Sequence, residues 1–314
     1  MRLFYYGFFV IVVMALILSF MWFFNENRNN DIRQNSVEQN ITTKDNDPIV
    51  GLLPQPDMVE QRNTPQDEET SKIVLPPPVI PVDERLKKQF CSTDSFEYKT
   101  YVVCRANPSL DRIELFLNGA DGKPYKRFYR LENALNAENK TIAFAMNAGM
   151  YHADYTAVGL YVENGKELHS ISTKDGPGNF HMKPNGVFFI NNGKAGILDT
   201  DSFIARGLKP QLATQSGPML VINNEIHHRF IPQSPYLEYR NGVGVTNDGE
   251  VIFIISEQKV NFDEMARFFR DKLKTPNALF FDGSISSLYS PELSRKDWWH
   301  GLGPIIAVTL DKND

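Results

Sequence analysis

Five polar residues stand at the ends of apolar runs, each beside or near a glycine: Asn147, Asn185, Ser216, Arg240 and Asp282. Together they supply hydrogen-bond donors, an acceptor and both signs of charge, a set able to hold a sugar phosphate. They occur in the turns Asn147-Ala148-Gly149, Asn185-Gly186, Ser216-Gly217-Pro218, Arg240-Asn241-Gly242 and Asp282-Gly283-Ser284. Side chains at strand ends are held firmly while their tips face solvent, which suits binding and catalysis. Asn-Gly and Asp-Gly are also common hairpin turns, so the weight falls on their shared character rather than on any one of them.

Other chemistries find less support. Ser216 is not framed by the G-x-S-x-G pattern of a serine nucleophile. All six histidines fall between 152 and 300, and none has the H-E-x-x-H spacing of a zinc site. His152 and Asp154 follow the first turn and His181 precedes another, so an acid, base or ligand role stays open for them beside ordinary surface or packing roles. No metal and no cofactor are expected. Asp154, Asp175 and Glu257 are the candidates for a second carboxylate. Tyr151, Tyr155, Tyr289, Trp298 and Trp299 are aromatics able to stack on a sugar, with burial as their ordinary alternative.

The elements that must carry these turns read mainly as strands. Thr141–Met146 is an apolar run ending at Asn147, and Ala278–Phe281 ends at Asp282. Three Gly-bearing turns, at 163–166, 191–193 and 247–249, sit between short apolar segments and predict hairpins. A helix is expected over Leu131–Glu138. Another begins at Asn261, with Glu264 at capping-box spacing and Phe262, Met265, Phe268, Phe269 and Leu273 on one face. The expected class is α+β: a mixed, mainly antiparallel β core with few flanking helices, in a single globular domain.

That domain spans 87–314. Residues 1–24 form an apolar segment, uncharged from Leu3 to Phe24, long enough to span a hydrocarbon layer of roughly 30 Å. Arg2 on the short side predicts a cytoplasmic N-terminus and a transmembrane signal anchor. A cleaved signal peptide is the alternative and puts the remainder in the same compartment, so the product is either membrane-anchored with an extracytoplasmic (in a Gram-negative cell, periplasmic) domain or secreted. Residues 25–86 read as a disordered, Pro-rich, acidic tether: no Phe, Trp or Tyr lies between Phe24 and Phe90, too little apolar surface to offset ordering. The domain balances 26 acidic against 26 basic residues, so no nucleic-acid partner is expected. Cys91 and Cys104 are the two cysteines of the chain; outside the cytoplasm they are expected to pair, with two unpaired thiols as the alternative.

Five motifs in order, NAGMY (147–151), KPNGVFF (183–189), TQSGPMLVINNEIH (214–227), RNGVG (240–244) and FFDGSISSLY (280–289), resemble the phosphodiester glycosidase family. The resemblance covers Tyr98 to Leu310. It matches Asn147 and Gly149 to the family's Asn-Gly-Gly-Phe-Phe element, and Ser216, Gly217 and Pro218 to its Ser-Gly-Pro element. Arg240 and Gly244 match its Arg-x-x-x-Gly element, and Asp282, Gly283 and Ser284 its Asp-Gly-Gly-Ser element. Ala148 replaces a family glycine, and Ile285 interrupts a longer glycine run, so the substrate can differ from that of other members. The resemblance implies a hydrolase cleaving a sugar C1–O bond in a glycosyl phosphodiester. Asp282, Arg240 and Asn147 would be catalytic, while Gly149, Asn185, Ser216, Gly217, Asn241, Gly283 and Ser284 would line the substrate. A non-catalytic module binding an envelope glycan through the same residues is the alternative, since kinship of fold does not fix activity.

Overall fold

The uninterrupted apolar runs of the sequence become strands buried on both faces, which is why they lack polar alternation. The computed structural model describes residues 88–283 and 285–312. The apolar segment 1–24, the tether 25–86 and Ser284 lie outside the described residues.

Strands β1 (Cys91–Phe96), β2 (Lys99–Ala106) and β3 (Arg112–Phe116) lead to helix α1 (Phe128–Ala137). Next come β4 (Lys140–Asn147), β5 (Tyr161–Glu163), β6 (Lys166–His169), β7 (Gly186–Asn191), β8 (Lys194–Asp199) and helix α2 (Thr200–Arg206). Strands β9 (Leu212–Ser216), β10 (Met219–Ile222), β11 (Glu225–Ile226), β12 (Asn241–Val245) and β13 (Val251–Ser256) precede helix α3 (Phe262–Arg267). The chain then forms β14 (Asn277–Asp282), β15 (Leu288–Ser290), β16 (Arg295–Lys296) and β17 (Ile305–Asp311).

Among the described residues these strands make three sheets, ordered β1-β2-β13-β12-β14-β10-β11, β16-β15-β4-β17-β3 and β6-β5-β9-β7-β8. The fold is α+β as expected, and antiparallel pairing extends to every strand pair among the described residues. The three expected hairpins are present as β5–β6, β7–β8 and β12–β13.

Strand periodicity divides the interior. In β13, Val251, Phe253 and Ile255 point into a central core shared by all three sheets, with Phe144, Met146, Phe188 and Phe281. Ile252 and Ile254 point the other way, under α3, with Met265, Phe268, Phe269 and Phe280. This is the alternation of side chains expected of any strand, seen here with both sides apolar.

Helix α3 has the expected capping box: Asn261 Oδ1 accepts from the Glu264 N–H at 2.9 Å, and Glu264 accepts from the Asn261 N–H at 2.8 Å. The α-helix ends sooner than the expected apolar face, however, and Phe268–Lys272 forms a wider π-type turn. That turn keeps both Phe268 and Phe269 buried. Helix α1 starts at Phe128, earlier than expected, because Phe128, Leu131 and Leu135 all face the second sheet and are buried. Cys91 and Cys104 are disulfide-bonded, directly opposite one another in the β1–β2 ladder. The segment that Cys104 staples is thus itself a strand.

Candidate active site

Asp282 closes β14, two residues beyond Phe280. A bulge shapes its surroundings: β12 pairs Gly242 with Phe280 and then Asn241 with Asp282, so Phe281 has no partner there. Bulges bend a strand and re-aim its side chains, often at functional sites. Here the bulge sets Asn241 directly opposite Asp282.

Burial controls the Asp282 carboxyl. Its side chain is 9% exposed, and desolvation raises its pKa from 3.8 to about 7. The Gly283 N–H, 2.6 Å from Oδ1, and the nearby Arg240 charge pull the other way without overcoming burial. A carboxyl poised near neutrality can hold or release a proton at working pH, as a general acid or base requires.

Arg240 precedes β12 and is 4% exposed. Its Nε donates to the Val260 carbonyl at 2.9 Å and Nη2 to the Tyr236 carbonyl at 3.3 Å. Its guanidinium lies 4.0 Å from the centre of the Phe262 ring and 5.4 Å from that of Phe280. Carbonyls and aromatic faces replace part of the water shell that a buried cation loses. Phe262 in turn stacks on Phe230, and Phe230 on His227. His227 donates from Nε2 to the Lys183 carbonyl and accepts the Arg229 N–H on Nδ1. Burial lowers its pKa to about 4, so it is neutral at pH 7 and acts as packing.

Asn147 and Asn241 join two sheets. Asn147 Nδ2 donates to Asn241 Oδ1 at 3.1 Å, and Asn241 Nδ2 donates to the Asn147 carbonyl at 2.8 Å. The Ser287 N–H donates to Asn147 Oδ1, and the Ser286 hydroxyl donates to Asn241 Oδ1 and the Asp282 carbonyl. Both carboxamides are fully buried. Their polar atoms are satisfied inside the protein, as buried groups must be, so Asn147 positions the Asp282 loop. The third sheet reaches the same place, because the Ser216 hydroxyl donates to the carbonyl of the bulged Phe281 at 3.1 Å.

The remaining expected residues divide. Gly283 lies at the site: a Cβ there would stand 3.7 Å from Arg240 Nη1 and 3.9 Å from the Glu238 Cβ. Gly149 adopts φ +134° and passes the Thr214 hydroxyl so closely that a Cβ would lie 3.0 Å from it. Asn185, expected to touch substrate, instead donates to the Phe180 carbonyl and accepts from the Thr200 hydroxyl. Its amide braces the segment before β7. Gly217 makes room for that brace, since a Cβ would sit 2.6 Å from the Asn185 Cβ.

None of the three candidate second carboxylates joins the site. Asp154 accepts from Thr156, Asp175 pairs with Lys183 on the surface, and Glu257 pairs with Arg295. Glu238, beside Gly283, is the carboxylate that sequence reading passed over, and it pairs with Lys259. His152 is exposed, and His181 bonds the Lys174 carbonyl. No cluster of three or more His, Cys, Asp or Glu able to hold a metal occurs among the described residues. Among the aromatics, Tyr289 is buried against Glu132, while Tyr151 and Tyr155 stack at 5.5 Å. The Tyr151 hydroxyl is pushed upward in pKa, first by burial and then by the Asp282 charge. Tyr151 therefore lies within electrostatic reach of Asp282.

The antiparallel α+β scaffold carries a buried carboxyl and a buried arginine at adjacent strand ends, and the family match places it in a glycosidase-type hydrolase family. The phosphodiester glycosidase model matches residues 140–296, and the chain belongs to that family. The uncharacterized protein YigE of Escherichia coli (strain K12) is 35% identical over 183 residues, covering 58% of this chain and 71% of that one. Among solved structures, the catalytic domain of zebrafish N-acetylglucosamine-1-phosphodiester alpha-N-acetylglucosaminidase, auto-inhibited by its pro-peptide, is 14% identical with a TM-score of 0.49. It covers 70% of this chain and 81% of its own. A hypothetical protein from Synechocystis is 12% identical with a TM-score of 0.44, covering 70% and 61%.

Proposed function

We propose that the chain hydrolyses a glycosyl phosphodiester at the sugar C1–O bond, with Asp282 as the proton-handling carboxyl. The observation that carries this reading is the neutral-range pKa of Asp282, about 7, at a strand end beside Arg240. In its ionised form Asp282 takes a proton from water as the water oxygen attacks C1. The C1–O bond breaks and its electron pair leaves with the phosphate, giving a free sugar and a phosphomonoester. A phosphate is a good leaving group and needs little protonation, which fits a site with one poised carboxyl. Arg240 supplies the positive charge that a phosphodiester requires, and its fork suits anionic oxygens.

The reaction is proposed for the cell envelope. The Cys91–Cys104 disulfide favours an oxidising compartment, and the apolar segment 1–24 supplies an anchor. Among the described residues no helix is long and apolar enough to cross a membrane, so the anchor rests on residues outside them. The test is a panel of glycosyl-1-phosphodiesters given to the full chain and to Asp282→Asn and Arg240→Ala. Sugar release that disappears in both variants, with circular dichroism unchanged, supports the reading. Tight glycan binding without turnover across the panel means a binding module instead.

A further inference from the structure

Trp298 and Trp299 stack on each other at 4.2 Å yet remain 63% and 70% exposed. Two adjacent large aromatics left in water are an unusual use of apolar surface, and such patches mark binding sites. They line a cleft of about 320 Å³ with Arg127, Tyr129, Lys296 and Asp297. Both tryptophans lie just past the residues matched by the family model, so the family match does not account for them.

The charges around the cleft are unequal. The Asp297 carboxylate is taken by Arg295 and the Leu288 N–H, and Lys296 is taken by Glu132. Arg127 donates to the carbonyls of Trp298 and His300. Lys126, the residue before it, lies 4.1 Å from the centre of the Tyr155 ring. Neither cation has a carboxylate partner among the described residues. Carbonyls and a ring orient a cation but leave its charge uncompensated, so Arg127 in the cleft wall, with Lys126 next to it in the chain, favours an anion.

Neighbouring carbonyls tie the cleft to the Tyr151 segment. The Tyr151 hydroxyl, within electrostatic reach of Asp282, donates to the Gly301 carbonyl, next to the His300 carbonyl that Arg127 holds. We infer that this cleft is a second binding site for an anionic saccharide, with a sugar ring on Trp298 and Trp299 and its negative group at Arg127 and Lys126. The inference rests on the proposed reaction only in treating that saccharide as part of the substrate.

Binding can be measured without turnover. The full chain, in a detergent without a sugar headgroup, is titrated calorimetrically with tetragalacturonate and with neutral cellotetraose. The uronate is expected to bind at least tenfold more tightly than the neutral tetrasaccharide. Trp298→Ala and Trp299→Ala, at exposed positions, are each expected to weaken it about tenfold, and Lys126→Gln to narrow the preference for the anion. Asp282→Asn is expected to bind it unchanged, which separates this inference from the proposed reaction. Equal binding of both saccharides, no binding of either, or affinity unmoved in both tryptophan variants overturns the inference.

Discussion

Replacing Asp282 by Asn should make the protein more stable as the pH rises, relative to the parent, while removing its activity. Folding raises the pKa of Asp282 from 3.8 to about 7. Between these values the folded chain holds a proton that the unfolded chain has released. The parent therefore loses stability as pH rises through that window, by about 1.4 kcal/mol per pH unit. The contribution is intact below about 3.8, and the full loss, on the order of 4 kcal/mol, is reached above about 7. An asparagine does not titrate, and its Oδ1 can still accept the Gly283 N–H. Urea unfolding of both proteins from pH 5 to pH 8.5 should therefore show the variant gaining roughly 3 kcal/mol relative to the parent. Glu163 is also raised by burial, but it is common to both proteins and cancels in the difference. A stability difference independent of pH, or one moving in favour of the parent as pH rises, refutes the argument that burial controls this carboxyl.

The pH profile of kcat/KM should climb to a plateau, with an apparent pKa near that of Asp282, about 7; two units below it the rate should be about one-hundredth of the plateau, and a flat profile from pH 5 to 9 argues against Asp282 as the base. Asn241→Ala removes bonds shared by Asn147 and Ser286, and should cost roughly 1–3 kcal/mol in urea unfolding with a fall in kcat larger than the change in KM. Cys91→Ala/Cys104→Ala should lower stability by about 3 kcal/mol without moving the pH profile, and the parent should show no free thiol without reductant. Phe262→Leu keeps apolar bulk but removes the ring face 4.0 Å from Arg240 and the stack on Phe230; a raised KM for phosphodiesters with a loss of about 1–2 kcal/mol in urea unfolding is expected, and parent-like kinetics would count against the ring as a positioning group.

What the sequence made legible was local. Asn261 and Glu264 announce a capping box because both partners lie within one turn, and the structure has it. The run into Asp282 reads as a strand because Ala278–Phe281 is apolar and Asp-Gly cannot continue it. The Asn-Gly and Asp-Gly hairpins are visible for the same reason. What stayed hidden depends on register between distant strands. Nothing near Phe281 signals that it will bulge, since the bulge follows from how β14 meets β12. Asn185 has the same residue type and glycine neighbour as the site turns, yet it serves as a brace because Phe180 and Thr200 happen to flank it. Tyr151 carries the chemistry of a sugar platform in the sequence, whereas the electrostatic reach of Asp282 to it follows from how the chain folds back.

The bulge explains how one carboxyl can be buried without the site collapsing around it. Asn147 brings in the second sheet and Ser216 the third, each through a hydrogen bond to the β12–β14 seam. These bonds use the amide donors of both asparagines, so that the donors left to Asp282 are the backbone N–H groups of its own loop. The Gly283 N–H, the influence of Arg240 and the Ile285 N–H are together too little to offset its desolvation. A tighter network would hold Asp282 ionised and bound within the protein, lowering its pKa as hydrogen bonds to a carboxylate do. The raised pKa is therefore the consequence of burial with few donors, and the three-sheet junction is what holds the loop in place while it persists.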